Sequence, residues 1–203
     1  MKIICVGRNY HEHIQELKSQ VPSSPVFFLK PDTSLLIRNR PFYYPSFSSE
    51  IHYEAELVLR IGKAGKHIQK EFAHAYYDEI GIGIDFTARD IQDECKKKGL
   101  PWTISKGFDQ AAPVGKFLPR QDFNDTLNIS FHLDLNGKTV QTGNSGQMIF
   151  TFEEIISHVS RFITLRTGDL IFTGTPSGVG PVRIGDKLEA FIGKEKLLSC
   201  SVK

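Results

Sequence analysis

The chain has 203 residues, of which 40% are hydrophobic and 24% charged, with a formal net charge of +2. That is enough chain to bury a full core in one unit, and the charge is too small to draw nucleic acid or an anionic membrane surface. Cys5, Cys95 and Cys200 are far apart, without zinc or redox spacing, and no apolar run nears the roughly 20 residues that cross a bilayer.

In chain order, residues 2–6 read as a strand, 10–19 as a short polar helix and 26–30 as a strand, with Pro22, Pro25, Pro41 and Pro45 punctuating the loops. Strand-like runs follow at 51–61, 80–85, 128–136, 169–173 and 186–202. Asn136-Gly137 is a hairpin turn signal. Helices are expected at 87–98 and at 152–162, the second with Ile155, Ile156, Val159 and Phe162 on one side. Strands outnumber helices and do not alternate with them. The expected class is therefore α+β, mostly β, and not a doubly wound sheet.

Glu54 and Glu56 lie two apart in the strand-like run 51–61, so both carboxylates project from one face. Carboxylates that close repel unless a proton or cation sits between them. A bare Glu-x-Glu also suits the wet face of an edge strand. Here the run continues into Leu57-Val58-Leu59, apolar on both faces as in a strand entering a core. Asp85, a third carboxylate, ends the apolar stretch Ile80–Ile84 just before a helix. An all-oxygen set favours a hard ion, Mg²⁺ before Mn²⁺ or Ca²⁺. His52 shares the face and stands as a neighbour or an occasional ligand.

The helix after Asp85 is well punctuated, with Thr87 as N-cap, Asp90 three residues on, and Gly99 beyond its end. Lys96, Lys97 and Lys98 complement the negative end of the helix dipole and need no nucleic acid to explain them. Arg89 and Gln92 share a face beside Asp85, a pair suited to holding a carboxylate bound at the ion.

The run from Asp85-Phe86-Thr87-Ala88-Arg89 to Lys106 resembles the central signature of the fumarylacetoacetate hydrolase family, most closely its short acylpyruvase type. The likeness extends through Gly7-Arg8-Asn9-Tyr10, Phe28-Leu29-Lys30-Pro31 and Tyr53–Leu57 to Thr173–Gly180, nearly the whole chain in order. It implies a mixed β-sandwich roll, one catalytic domain over residues 1–203, and a homodimer. The name-giving enzyme carries a further N-terminal domain with another acidic metal ligand. This chain is expected to start at the catalytic domain, leaving that position to water or substrate.

His13 and Glu16 can meet on one face of the first helix, though incidental charge on a solvated helix is the plainer account. The resemblance implies a His/Glu dyad here, on a lid that orders over bound ligand and activates a water. Thr173–Gly180 is Gly-rich after a strand but lacks a closing Lys-Ser/Thr and a following helix, which rejects a phosphate loop. Its glycines suit close approach to a small ligand, with the Thr175 hydroxyl and amide offered to a substrate carboxylate.

Together these residues predict a small 2-oxo acid as substrate. Glu54, Glu56 and Asp85 hold the metal, Arg89, Gln92 and Thr175 fix the acid, and Lys106 stabilises charge on the 2-oxo oxygen. Acylpyruvate hydrolysis ranks first, oxaloacetate decarboxylation or tautomerisation second and dienoate isomerisation third; a non-enzymatic binding module requires the carboxylates to be ordinary surface charges. The start of the chain shows no leader pattern and the thiols read as reduced, so the expected location is cytoplasmic.

Overall fold

The computed structural model describes residues 1–16 and 20–203. The named strands and helices, in chain order, begin with β1 (Ile3–Gly7), α1 (His11–Glu16), β2 (Val26–Lys30), β3 (Ala55–Ile61), β4 (Tyr77–Ile84), α2 (Arg89–Lys98) and α3 (Thr103–Lys106). There follow β5 (Leu118–Pro119), β6 (Ser130–Leu135), β7 (Lys138–Asn144), α4 (Phe152–Phe162), β8 (Leu170–Phe172), β9 (Lys187–Ile192) and β10 (Glu195–Ser201). The first helix is seen from His11 to Glu16; the remainder of the expected 10–19 segment includes residues outside those described.

Two sheets carry the fold, one in the order β2-β1-β8-β3-β4-β5 and the other β7-β6-β9-β10. The first is antiparallel except for β1 against β8. Its central strands are buried along nearly their whole length, which is why they read as continuous apolar runs. The second is antiparallel throughout, with β6 between β7 and β9, and its inward positions, among them Phe131, Leu133, Leu188, Ala190 and Leu198, join the main core. The architecture is α+β and mostly strand, as composition and pattern suggested.

Four details differ from the sequence reading. The 51–61 run is not one strand: it breaks at Glu54 into Ile51–Tyr53, which joins a small separate sheet, and β3. The 186–202 run is a hairpin, not one strand: it turns at Gly193, whose φ of 56° is left-handed. Thr87 does not cap α2. Its hydroxyl turns to the Asp85 carbonyl, and Ala88 is the N-cap with no side-chain bond. Asp90 instead collects Ser48 Oγ at 2.7 Å and Ser49 N at 2.9 Å, fastening the helix start to the preceding loop. On α4 the buried side is Phe152, Ile155, Ile156 and Val159, while Phe162 is exposed. The Thr151–Glu154 capping box sets where that helix begins. The Asn136-Gly137 hairpin forms as expected, both residues at positive φ.

The register between β3 and β4 builds the site. Ala55 pairs with Ile84, so the residues just beyond, Glu54 and Asp85, face each other across the strand ends, with Asp85 N donating to Glu54 O at 2.8 Å. Two carboxylates 31 positions apart in sequence thereby meet.

Candidate metal centre and active site

Oxygen atoms of Glu54, Glu56 and Asp85 lie within 4.8 Å of one another, and all three residues are buried. Buried carboxylates must find protons, cations or donors. Lys106, reaching back from α3, donates to Glu54 Oε2 at 2.7 Å and to Asp85 Oδ2 at 2.8 Å. Arg89, at the start of α2, donates from Nη2 to Glu54 Oε1 at 2.6 Å and from Nη1 to Gln92 Oε1 at 2.5 Å. Among the described residues, Glu56 receives only the backbone N–H of Gly174, at 2.7 Å. A side chain on Gly174 would strike Asn9, 2.7 Å from the position of its Cβ, and its φ is +103°, so glycine is required for this donor to approach.

These partners drive neighbouring carboxyls in opposite directions. Burial would raise Glu54, but the charges of Lys106, Arg89 and His13 outweigh it and hold Glu54 far below the usual range. Glu56 is pushed well up, by burial first and then by Asp85 and Glu54. Lys106 would be lowered by burial, yet Asp85 and Glu54 keep its ammonium above the ordinary lysine range. A hard divalent ion fits this donor set: it would offset the burial and the carboxylate repulsion that raise Glu56, and Asp85 Oδ1 receives no hydrogen bond from any described residue.

Sequence reasoning missed Lys30. Its side chain is fully buried, and its Nζ donates to the carbonyls of Phe86 at 3.1 Å, Ala111 at 3.0 Å and Lys106. Those three carbonyls take the three protons of an ammonium. Asp85 Oδ1, 2.7 Å away, therefore meets Lys30 as a charge and not along a hydrogen bond. Asn9 was missed as well. Fully buried, it donates to Phe150 O and Thr173 O and accepts from Phe150 N, pinning the chain beside Arg8, whose φ of 61° is left-handed.

A cleft opens over the carboxylates, walled by Arg8 and His13 on one part and by Phe28, Trp102 and Lys96 on another. His13 Nδ1 lies 3.1 Å from Glu16 Oε2, Nε2 has no hydrogen-bond partner among the described residues, and the ring is near enough to Glu54 to lower that carboxyl. Thr175 lines the cleft, but its hydroxyl is committed: it donates to Ala55 O and accepts from Gln141 Nε2, each at 2.9 Å. Of the two groups expected to meet a carboxylate, only the Thr175 amide stays outside the described hydrogen bonds. Each Nη atom of Arg89 makes one hydrogen bond within the protein, while its buried Nε has no partner among the described residues. His52 is drawn away from the carboxylates, with Nε2 2.9 Å from Glu50 Oε1.

The model of the fumarylacetoacetate (FAA) hydrolase C-terminal domain matches residues 2–202. The chain belongs to the fumarylacetoacetate hydrolase family. Among its relatives, the human mitochondrial oxaloacetate tautomerase is 45% identical over 190 residues, covering 94% of this chain and 86% of that protein. The mitochondrial oxaloacetate decarboxylase of Dictyostelium discoideum is 44% identical over 192 residues, 94% of this chain and 88% of that one. The crystal structure of Pseudomonas aeruginosa fumarylpyruvate hydrolase in complex with Mn²⁺ and pyruvate superposes with a TM-score of 0.93 at 36% identity, covering 100% of this chain and 89% of the other. A 2-hydroxyhepta-2,4-diene-1,7-dioate isomerase from Mycobacterium marinum gives a TM-score of 0.86 at 35% identity, covering 99% and 73%. This family member is therefore an enzyme, with small organic acids as the substrates of its relatives and a divalent metal in one of them.

Proposed function

We propose that the chain is a divalent-metal-dependent enzyme acting on 2-oxo acids, with oxaloacetate keto–enol interconversion and decarboxylation as its main activities. The observation that carries this reading is the convergence of Glu54, Glu56 and Asp85 beneath a cleft that also receives the His13–Glu16 pair and Lys106. Relatives above 40% identity named for oxaloacetate chemistry add support. Mg²⁺ is the ion of first choice for three carboxylates; Mn²⁺, present in the fumarylpyruvate hydrolase, is the second. When bound, the ion supplies Lewis-acid polarisation of the 2-oxo group.

The residues do the rest. The unpartnered Nε of Arg89, the amide nitrogen of Gln92 and the Thr175 N–H bind and orient the C1 carboxylate. His13 Nε2 takes a proton from C3 while electrons move onto the 2-oxo oxygen. Lys106 stabilises the negative charge gathering there, and returning the proton to that oxygen gives the enol. Decarboxylation places the same charge on the same oxygen, with the distal carboxylate leaving as CO₂ and no base needed.

Acylpyruvate hydrolysis is the second reading, favoured by the His13–Glu16 pair, because an imidazole oriented by a carboxylate can also activate a water. Homodimer formation follows from family likeness alone. A reducing, cytosol-like location is supported by three free buried cysteines, although the two relatives named for oxaloacetate chemistry are mitochondrial. The deciding assay follows enol formation and CO₂ release from oxaloacetate beside pyruvate release from acetylpyruvate, with Mg²⁺, Mn²⁺ or chelator. Metal-dependent turnover of acetylpyruvate with none of oxaloacetate would exchange the two readings. No metal-dependent turnover of either acid would remove both.

A further inference from the structure

Helix α2 gives the cleft more than Arg89 and Gln92. Lys96 stands seven residues beyond Arg89 and four beyond Gln92, so the three side chains form one stripe, and all three line the cleft. Helical side chains lean toward the N-terminus, which here carries the Lys96 ammonium toward the carboxylates. Its two lysine neighbours behave differently. All three lysines are exposed, but Lys98 pairs with Glu94 at 2.5 Å and neither Lys97 nor Lys98 lines the cleft. A role at the helix dipole serves those two; it does not explain why Lys96 turns into the site.

Lys96 is weakly partnered. Its one ion contact among the described residues is with Asp93, at 3.7 Å, and its Nζ lies 6.0 Å from the centre of the Trp102 ring, which forms part of the same wall. Burial and then the positive charge of Arg89 lower its ammonium below the ordinary lysine range, against the opposing charges of Asp93 and Glu54. An ammonium beside an open cleft, whose ion contact among the described residues is as long as 3.7 Å, is stabilised by an incoming anion. Gln92 and Lys96 are four residues apart, about 6 Å along the helix, which is on the order of the length of a four-carbon acid.

We propose that Lys96, backed by Trp102, is the specificity-determining residue that binds the second carboxylate of a dicarboxylic 2-oxo acid. The proposal rests on the 2-oxo acid reading above and adds where selection against neutral-tailed acids arises. Arg89 and Gln92 hold the end of the substrate next to the metal ligands. Lys96 reads the far end, one turn along the same helix.

The test compares wild type, Lys96→Met, Lys96→Arg and Lys97→Met in the presence of Mg²⁺. Three probes are used: oxalate binding by calorimetry, oxaloacetate KM, and acetylpyruvate KM or inhibition constant. Oxalate has no distal group, so its affinity reports the metal end alone and shows that each variant is folded. Lys96→Met is expected to raise the oxaloacetate KM about ten-fold or more, the worth of one charge-assisted hydrogen bond, and to leave the other two probes within about two-fold. Lys96→Arg should retain most of the oxaloacetate affinity, and Lys97→Met should match wild type throughout. Retained oxalate binding with equal effects on oxaloacetate and acetylpyruvate, or with no effect on either, overturns the role of Lys96. Absence of metal-dependent oxalate binding in the wild type overturns the 2-oxo acid reading itself, and this inference with it.

Discussion

Lys30 Nζ lies 2.7 Å from Asp85 Oδ1, with the lysine side chain fully buried and that of Asp85 2% exposed. The same ammonium closes three carbonyls, from Phe86, Ala111 and Lys106, and so ties β2 to the backbone on both sides of α2 and α3. Lys30→Met would leave three buried acceptors and a buried carboxylate without their cation. The expected loss is about 3–5 kcal/mol of stability, the cost of breaking a buried ion pair from one side. Urea unfolding of the chelator-treated protein measures it. A loss below about 1 kcal/mol, typical of a surface pair, would mean that water replaces the ammonium and that the site is not held from beneath.

Glu56 gives the metal-free protein a characteristic pH response. In the unfolded chain it titrates near 4.5, whereas burial and then the charges of Asp85 and Glu54 raise it well above that in the fold. Its stabilising contribution is therefore complete below 4.5 and is lost as pH rises through the higher folded value. Glu54, depressed in the fold, acts oppositely: its contribution is present above 4.5 and lost as pH falls below. With chelator present, Tm should decline as pH rises above 4.5 through the raised folded value, and Mg²⁺ should raise Tm more on the high-pH side of that decline, where no proton has to be displaced. Glu56→Gln should flatten the decline and abolish the response to Mg²⁺. An unchanged Mg²⁺ response in that variant would remove Glu56 from the ligand set.

The legible parts of the site were those with a local signature. Glu54 and Glu56 showed themselves by spacing, Asp85 by ending an apolar run, and Arg89 with Gln92 by helical periodicity. Their convergence was not legible, because it depends on pairing Ala55 with Ile84, and strand register is a long-range property. Lys30 was hidden for a related reason. A lysine ending an edge strand reads as solvent-facing, and only the fold brings three carbonyls around it. Lys96 was absorbed into a cluster of like residues whose dipole role suffices for its two neighbours. Thr175 was recognised as part of a ligand loop, yet its hydroxyl was already claimed by Gln141 and Ala55, partners 34 and 120 positions away.

His13 tests the base directly. Replacement by Ala should lower oxaloacetate tautomerisation, and any acylpyruvate hydrolysis, by roughly 10²-fold, the usual worth of a general base. Decarboxylation should fall far less, since it removes no C3 proton. Glu16→Gln keeps a hydrogen-bond acceptor for Nδ1 and removes only the charge, so its effect should be smaller than that of His13→Ala. The three rates can be taken from one preparation by following enol absorbance, CO₂ and pyruvate. A parallel loss of all three would give His13 a part in holding substrate or shaping the cleft, and the proton-transfer role would have to be abandoned.

Lys106 carries the last prediction, which turns on timing of charge. In the resting site its ammonium is shared between Glu54 and Asp85. The 2-oxo oxygen becomes fully anionic only as C3 loses its proton or its carboxylate, so an ammonium beside it stabilises the transition state more than bound substrate. Lys106→Met should therefore lower kcat by roughly 10²- to 10³-fold with a smaller change in KM, the range seen when one donor to a developing oxyanion is removed. Oxalate, planar and charged like the enolate, should bind the Mg²⁺-loaded variant less tightly than wild type. The same substitution also leaves Glu54 and Asp85 without a shared cation, so a folding defect must be separated from a catalytic one. Mg²⁺ titration followed by Tm does so, because an intact ligand set still responds to the ion. A variant that responds to Mg²⁺ and keeps wild-type kcat and oxalate affinity would leave Lys106 a structural counter-charge to two carboxylates and nothing more.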